Sequence, residues 1–111
     1  METLLVLTNL PDAAAAQTLA RELVAARLAA CVNMLAPCRS VYRWQGAIEE
    51  ADEVPLLIKT TADRYAALEQ AIRAAHPYEL PEIVAVPVAH GLPGYLAWVA
   101  AATSPDDSTP C

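Results

Sequence analysis

Along the 111 residues, apolar and polar positions alternate with periods that change from segment to segment. Leu4 to Leu7 is an unbroken apolar run closed by Thr8-Asn9, which suits a strand covered on both faces. Pro11-Asp12 then opens a helix carrying Ala16, Leu19, Ala20, Leu23, Val24 and Arg27 on one side, with Gln17, Arg21 and Glu22 on the other. Cys31 to Leu35 reads as a second strand, broken by Pro37. Extended structure resumes at Ser40-Val41-Tyr42-Arg43-Trp44. Gln45-Gly46 supplies a turn, and Ala47 to Thr61 is the return strand of a long hairpin. A second helix, capped by Asp63, carries Tyr65, Leu68 and Ile72 at helical spacing until Pro77 stops it. Glu82 to Val88 is a further strand, and Gly91, Pro93 and Gly94 form a loop before a short apolar helix starting at Tyr95-Leu96-Ala97-Trp98-Val99.

The order β-α-β, β-α-β, then a helix, predicts an α+β fold of the ferredoxin-like βαββαβ type, an antiparallel sheet with both main helices on one face and an extra C-terminal helix. A period of two separates Val32, Met34, Leu56 and Ile58 from Cys31, Asn33, Leu57 and Lys59, yet both sets contain apolar members. The second face therefore needs a cover, and an oligomer is expected. Apolar residues make up 56% of the chain, an excess that points the same way even though much of it is alanine.

A formal charge of −6 excludes a phosphate backbone or an anionic membrane as partner and favours cations. Cys31, Cys38 and Cys111 form no CxxC pair, and the N-terminus has no basic segment before a long apolar run; reduced thiols and a cytoplasmic location are the expectation. Neither GxSxG, HExxH, GxGxxG nor GxxxxGK[ST] occurs, so nothing argues for an enzyme.

Candidate chemistry concentrates in His76-Pro77-Tyr78-Glu79-Leu80-Pro81-Glu82, where two prolines stiffen a path bearing an imidazole, a phenol and two carboxylates. As a site, it offers His76, Glu79 and Glu82 as metal ligands if the segment folds back or a neighbouring subunit contributes carboxylates; as plain architecture, it is a helix stop before a strand, with His76 capping the last carbonyls. Lys59 is the sole lysine and is open to an ion pair with Glu82 or Glu53, or to an anionic ligand. Tyr42 and Trp44 share a strand face and with Tyr78 either line a cleft or anchor a subunit contact. The run Glu49-Glu50, Asp52-Glu53 either gathers divalent cations through its field or is solvated charge. Cys31 reads as a small core residue and Cys38 as an exposed thiol.

Leu28-Ala29-Ala30-Cys31-Val32-Asn33, Ser40-Val41-Tyr42-Arg43-Trp44-Gln45-Gly46, Ile58-Lys59-Thr60-Thr61, His76 through Ile83, and Tyr95-Leu96-Ala97-Trp98 together closely resemble the CutA divalent-cation tolerance proteins, over roughly residues 3 to 102. The resemblance implies a CutA-like domain at residues 1–103, assembled as a homotrimer of PII-like architecture with clefts between subunits; residues 104–111, rich in serine, proline and aspartate, read from their composition as a disordered tail. It further implies a non-catalytic role in the response to divalent metal, copper or zinc or a similar ion. The alternatives are a PII-like module holding a small anionic ligand near Lys59, Tyr78 and Glu82, or a scaffold that recruits another protein. Where bacterial members proposed to ligate copper carry a cysteine after the first strand and paired histidines before Pro-Tyr, this chain has Thr8 and Ala75. Neither a hydroxyl nor a methyl replaces a thiolate or an imidazole on copper.

Overall fold

The computed structural model describes residues 2–105. Five strands and three helices follow in the order β1 (Thr3–Leu10), α1 (Ala13–Ala25), β2 (Cys31–Met34), β3 (Cys38–Trp44), β4 (Ala47–Thr61), α2 (Ala62–Ala75), β5 (Ile83–Pro87) and α3 (Pro93–Ala102). The fold is α+β, with one antiparallel sheet in the order β2-β4-β1-β5 and β3 paired to the outer half of β4. β1 runs three residues past the apolar stretch that announced it, because Thr8 and Leu10 continue the alternation on the core side.

Alternation sorts the side chains by parity. Val6 faces Ile58, Thr8 faces Leu56 and Leu10 faces Val54, and Val32 meets Ile58 from β2. These residues form a single core with Ala16, Leu19 and Leu23 of α1 and Leu68 and Ile72 of α2, so both helices cover one sheet face. Leu5, Leu7 and Leu57 point the other way and are half-buried, with Val86 beside Leu5 and Val84 beside Leu7. α3 covers part of this second face through contacts with β4 and β1, Tyr95 reaching the Cys31 thiol; Cys31 lies there rather than in the core. Val84 and Val86 remain 49% and 47% exposed.

Local chemistry explains most element ends. The Asp12 carboxylate accepts the Ala15 amide at 2.8 Å and caps α1. Gln45 (φ 49°) and Gly46 (φ 82°) both occupy the left-handed region, the two-residue turn whose twist matches its strands, and the β3–β4 hairpin projects from the core to give a long axis of 52 Å. Two details depart from expectation. Thr61, not Asp63, is the N-cap of α2; Asp63 stands in the first turn, where its charge favours the helix dipole. α3 starts at Pro93, whose fixed φ and missing N–H suit a first helical position, so Gly94 is helical.

Arg27 does not extend α1. It adopts φ 60°, and the amides of Arg27 and Leu28 donate to the carbonyls of Val24 and Leu23 at 3.1 and 3.0 Å, a Schellman closure at a position usually held by glycine. The Arg27 guanidinium explains why glycine is absent: Nε donates to the Ser104 carbonyl at 2.8 Å and Nη2 to the Ala101 carbonyl at 3.3 Å, so one residue ends α1 and caps α3. Ser104, the first residue of the expected tail, is thereby tied to the fold, while 106–111, including Cys111, lie outside the described residues.

Arg27→Ala therefore loses the cap while keeping the left-handed backbone, and is expected to cost about 1–3 kcal/mol in chemical denaturation. Arg27→Gly relieves the backbone and should be less damaging by about 1 kcal/mol. Equal losses in the two variants would remove backbone strain from the account.

Candidate functional site: an acidic cleft lined by aromatics

One face of the hairpin builds a wall. Alternation puts Ser40, Tyr42 and Trp44 of β3 on the same side as Ala51 and Glu53 of β4, and the facing wall is the segment Pro77, Tyr78, Glu79, Leu80 and Glu82, with Asn9 of β1 between them. The cleft between these walls is open to solvent on one side and has a volume of about 860 Å³. Tyr42, Trp44 and Tyr78 thus share one cleft, together with Glu79 and Glu82. Lys59 is not part of it: its Nζ donates to Asn33 Oδ1 on β2, and Glu82 instead accepts from Asn9 Nδ2 at 3.2 Å, so neither Glu82 nor Glu53 is its partner within the chain.

His76 anchors the second wall from behind. It is only 8% exposed, and its Nε2 lies 2.6 Å from the Asn9 carbonyl while its Nδ1 accepts the Tyr78 amide at 3.2 Å. A carbonyl only accepts, so Nε2 carries the proton and the tautomer is fixed. Both ring nitrogens are committed to holding the segment against β1. The imidazole also packs on the Tyr78 ring, centroids 4.7 Å apart. His76 therefore does stop the helix, its amide bonding the Ile72 carbonyl at 2.9 Å, and presents no spare lone pair to a metal in this arrangement. Among the described residues no three His, Cys, Asp or Glu side chains converge as a metal group. Thr8 is fully buried on the core side of β1 and Ala75 is exposed at the end of α2, so neither faces the cleft.

Glu53, which the sequence offered only as a partner of Lys59 or as one member of the acidic run, enters the cleft wall. Within the acidic run, parity sends Glu50 and Asp52 to one hairpin face, where Arg39 binds both at 3.0 Å, and the Glu50 bond in particular holds that guanidinium's pKa above its usual value. Glu53 goes to the other face and is 8% exposed, accepting from the Tyr78 hydroxyl. Burial first, then that hydrogen bond and the Glu53 charge, push the Tyr78 phenol up to about 12. Counting parity back from the buried Val54, Leu56 and Ile58 was the signal available, but a strand half pairing with a projecting hairpin need not keep the burial pattern of its core half.

An α+β protein with a single antiparallel sheet and an acidic, aromatic-lined cleft beside it is the class these features define. The family model for CutA1 divalent ion tolerance protein matches residues 4–102. A divalent-cation tolerance protein CutA from Thermus thermophilus is 47% identical over 94 residues, covering 85% of this chain and 91% of that protein. Among solved structures, CutA from Xylella fastidiosa superposes with a TM-score of 0.90 at 44% identity, covering 94% of this chain and all of that one. A protein described as the periplasmic divalent cation tolerance protein CutA from Archaeoglobus fulgidus has a TM-score of 0.89 at 31% identity, covering 92% and 99%. The chain belongs to the family of CutA divalent-cation tolerance proteins.

Because the folded Tyr78 phenol titrates above the ordinary value of about 10, its contribution to stability is complete below that pH and is lost as pH rises toward 12. Melting temperatures measured from pH 9 upward should fall over this window, and Tyr78→Phe should flatten part of the fall; an unchanged slope in the variant would mean that Tyr78 is not the group involved.

Proposed function

We propose that this chain is a non-catalytic divalent-cation binder, a ferredoxin-like subunit of a PII-like homotrimer that works in the cytoplasm. One observation carries the cation reading: the cleft wall holds Glu53, Glu79 and Glu82 and no lysine or arginine. Low-dielectric walls bearing one sign of charge focus the field and concentrate the opposite ion. Glu79 and Glu82 are the proposed ligands. Oxygen donors of this kind suit zinc, nickel or manganese better than copper(I), which prefers soft sulfur. His76 joins them only if the Tyr78 amide leaves Nδ1, so it acts first as the residue that positions both carboxylates. An anionic occupant is disfavoured because Lys59 is bonded to Asn33 away from the cleft.

The trimer is supported by the second sheet face, where Val84 and Val86 lie beside half-buried Leu5 and Leu7 with α3 covering only part of the surface. A neighbouring copy both shelters that surface and offers the further oxygen ligands that the cleft carboxylates, being dispersed around the wall, do not provide alone. The ferredoxin-like reading is supported by the strand order β2-β4-β1-β5 with α1 and α2 on one face. No helix among the described residues is long and apolar enough to cross a membrane, and Cys31 and Cys38 are free thiols, as a reducing compartment would keep them.

Titration of metal-free protein with zinc(II), nickel(II) and copper(II) by calorimetry should give saturable binding that Glu79→Gln with Glu82→Gln weakens about tenfold or more. His76→Ala is expected to lower stability by about 1–3 kcal/mol through its two lost bonds. Full metal affinity in the double carboxamide would reject these ligands, and a monomeric mass by light scattering would reject the trimer.

A further inference from the structure

We propose that the cleft is a binding site for an organic ammonium ligand, an aliphatic amine or polyamine whose cationic head meets Glu53 and whose stem lies against Tyr42, Trp44 and Leu80. A metal ion with its ligands fills only a small part of about 860 Å³, a size suited to a small organic molecule. The walls are three-sided in chemistry: two aromatic rings from β3, the Tyr78 ring opposite, and carboxylates between. Aromatic faces and carboxylates both attract ammonium groups, whereas an anion would meet repulsion on every wall.

Glu53 supplies the observation that an acidic lining alone would not. It lines the cleft, is 8% exposed, and accepts from the Tyr78 hydroxyl. A carboxylate offers about four acceptor positions, and one hydroxyl takes only one of them. Both the cavity and this carboxylate in its wall suit one ligand: a cation with several N–H donors and an apolar stem. Leu80 is 73% exposed at the cleft rim and Tyr42 44%, apolar surface that a stem would cover. Tyr78 fixes where the head sits, because its hydroxyl bonds Glu53 and the head shares the same carboxylate. The inference shares the cleft with the metal reading but uses different groups, Glu53 and the aromatics in place of Glu79 and Glu82.

The full chain carrying Trp98→Phe leaves Trp44 as the sole tryptophan reporter. Spermidine added at constant ionic strength should change Trp44 fluorescence saturably below millimolar concentration, with potassium chloride and citrate as controls. Glu53→Gln is expected to weaken binding at least tenfold; Tyr42→Ala, on the hairpin and 44% exposed, about threefold to tenfold, with the melting temperature of each variant measured alongside. Glu22→Gln, on α1 away from the cleft, should leave binding unchanged. Spermidine and potassium chloride acting alike, or unchanged spermidine binding in both Glu53→Gln and Tyr42→Ala, would overturn the proposal. Metal affinity measured on Tyr42→Ala keeps the two readings apart: its survival alongside lost amine binding isolates the amine site, and lost metal binding in Glu79→Gln with Glu82→Gln leaves the amine result standing.

Discussion

The alternation of side chains along β4 is the constraint on which the rest depends. Fifteen residues of one strand pair with β3 at the outer end and lie between β1 and β2 at the inner end, so a single parity governs the core and the cleft together. Val54, Leu56, Ile58 and Thr60 are buried under the two helices, and Glu53, one step out of phase, enters the cleft. A register slip of one residue would exchange the sets, turning Glu53 toward the core side and Leu56 toward the second sheet face, a change that costs both burial and charge solvation. Core packing therefore fixes the position of a carboxylate that the core itself does not use.

That constraint also separates what could be read in the chain from what could not. Asp12 as a cap, Leu68 and Ile72 as a core stripe, and Gln45-Gly46 as a hairpin turn are local signals, each decided within a few residues, and each is found in the fold. Arg27 was misassigned to the helix face because left-handed closures are usually marked by glycine, and the reason for an arginine lies 77 residues away at Ser104. Lys59 met Asn33 for the same reason: the pairing belongs to the β2–β4 register, which no local pattern specifies. The cleft followed an intermediate course. Tyr42, Trp44 and Tyr78 could be named as candidate wall residues from strand parity and stiffness, whereas Glu53 was hidden inside a charged run whose other members, Glu50 and Asp52, are spent on Arg39.

His76 shows how one residue type can satisfy two sequence readings and still be settled by geometry. A histidine between a helix and a Pro-Tyr segment beside two glutamates looks like a ligand, and its imidazole does stand close to the cleft. Yet a buried ring must satisfy both nitrogens, and the Asn9 carbonyl and Tyr78 amide do so. What the ring contributes is placement: Asn9 receives it through its carbonyl and gives its side-chain amide to Glu82, so β1 holds both ends of the segment that forms the second wall. The carboxylates of Glu79 and Glu82 stand where this clamp puts them.

The charges of the chain are sorted by the same geometry, and the sorting decides which ligands the cleft can accept. Arg39 neutralises the outer hairpin face, Arg27 caps α3, and Lys59 sits on β4 bonded to Asn33. None of these cations lines the cleft, while three of the acidic residues do. Three carboxylates gathered on the walls of one concave surface beside three aromatic rings give that surface a preference of sign. Aromatic rings alone would accept neutral or cationic ligands, and carboxylates alone would hold any cation loosely. Their combination, with Glu53 largely withdrawn from water beside the Tyr78 phenol, favours ligands that bring positive charge into a partly apolar space.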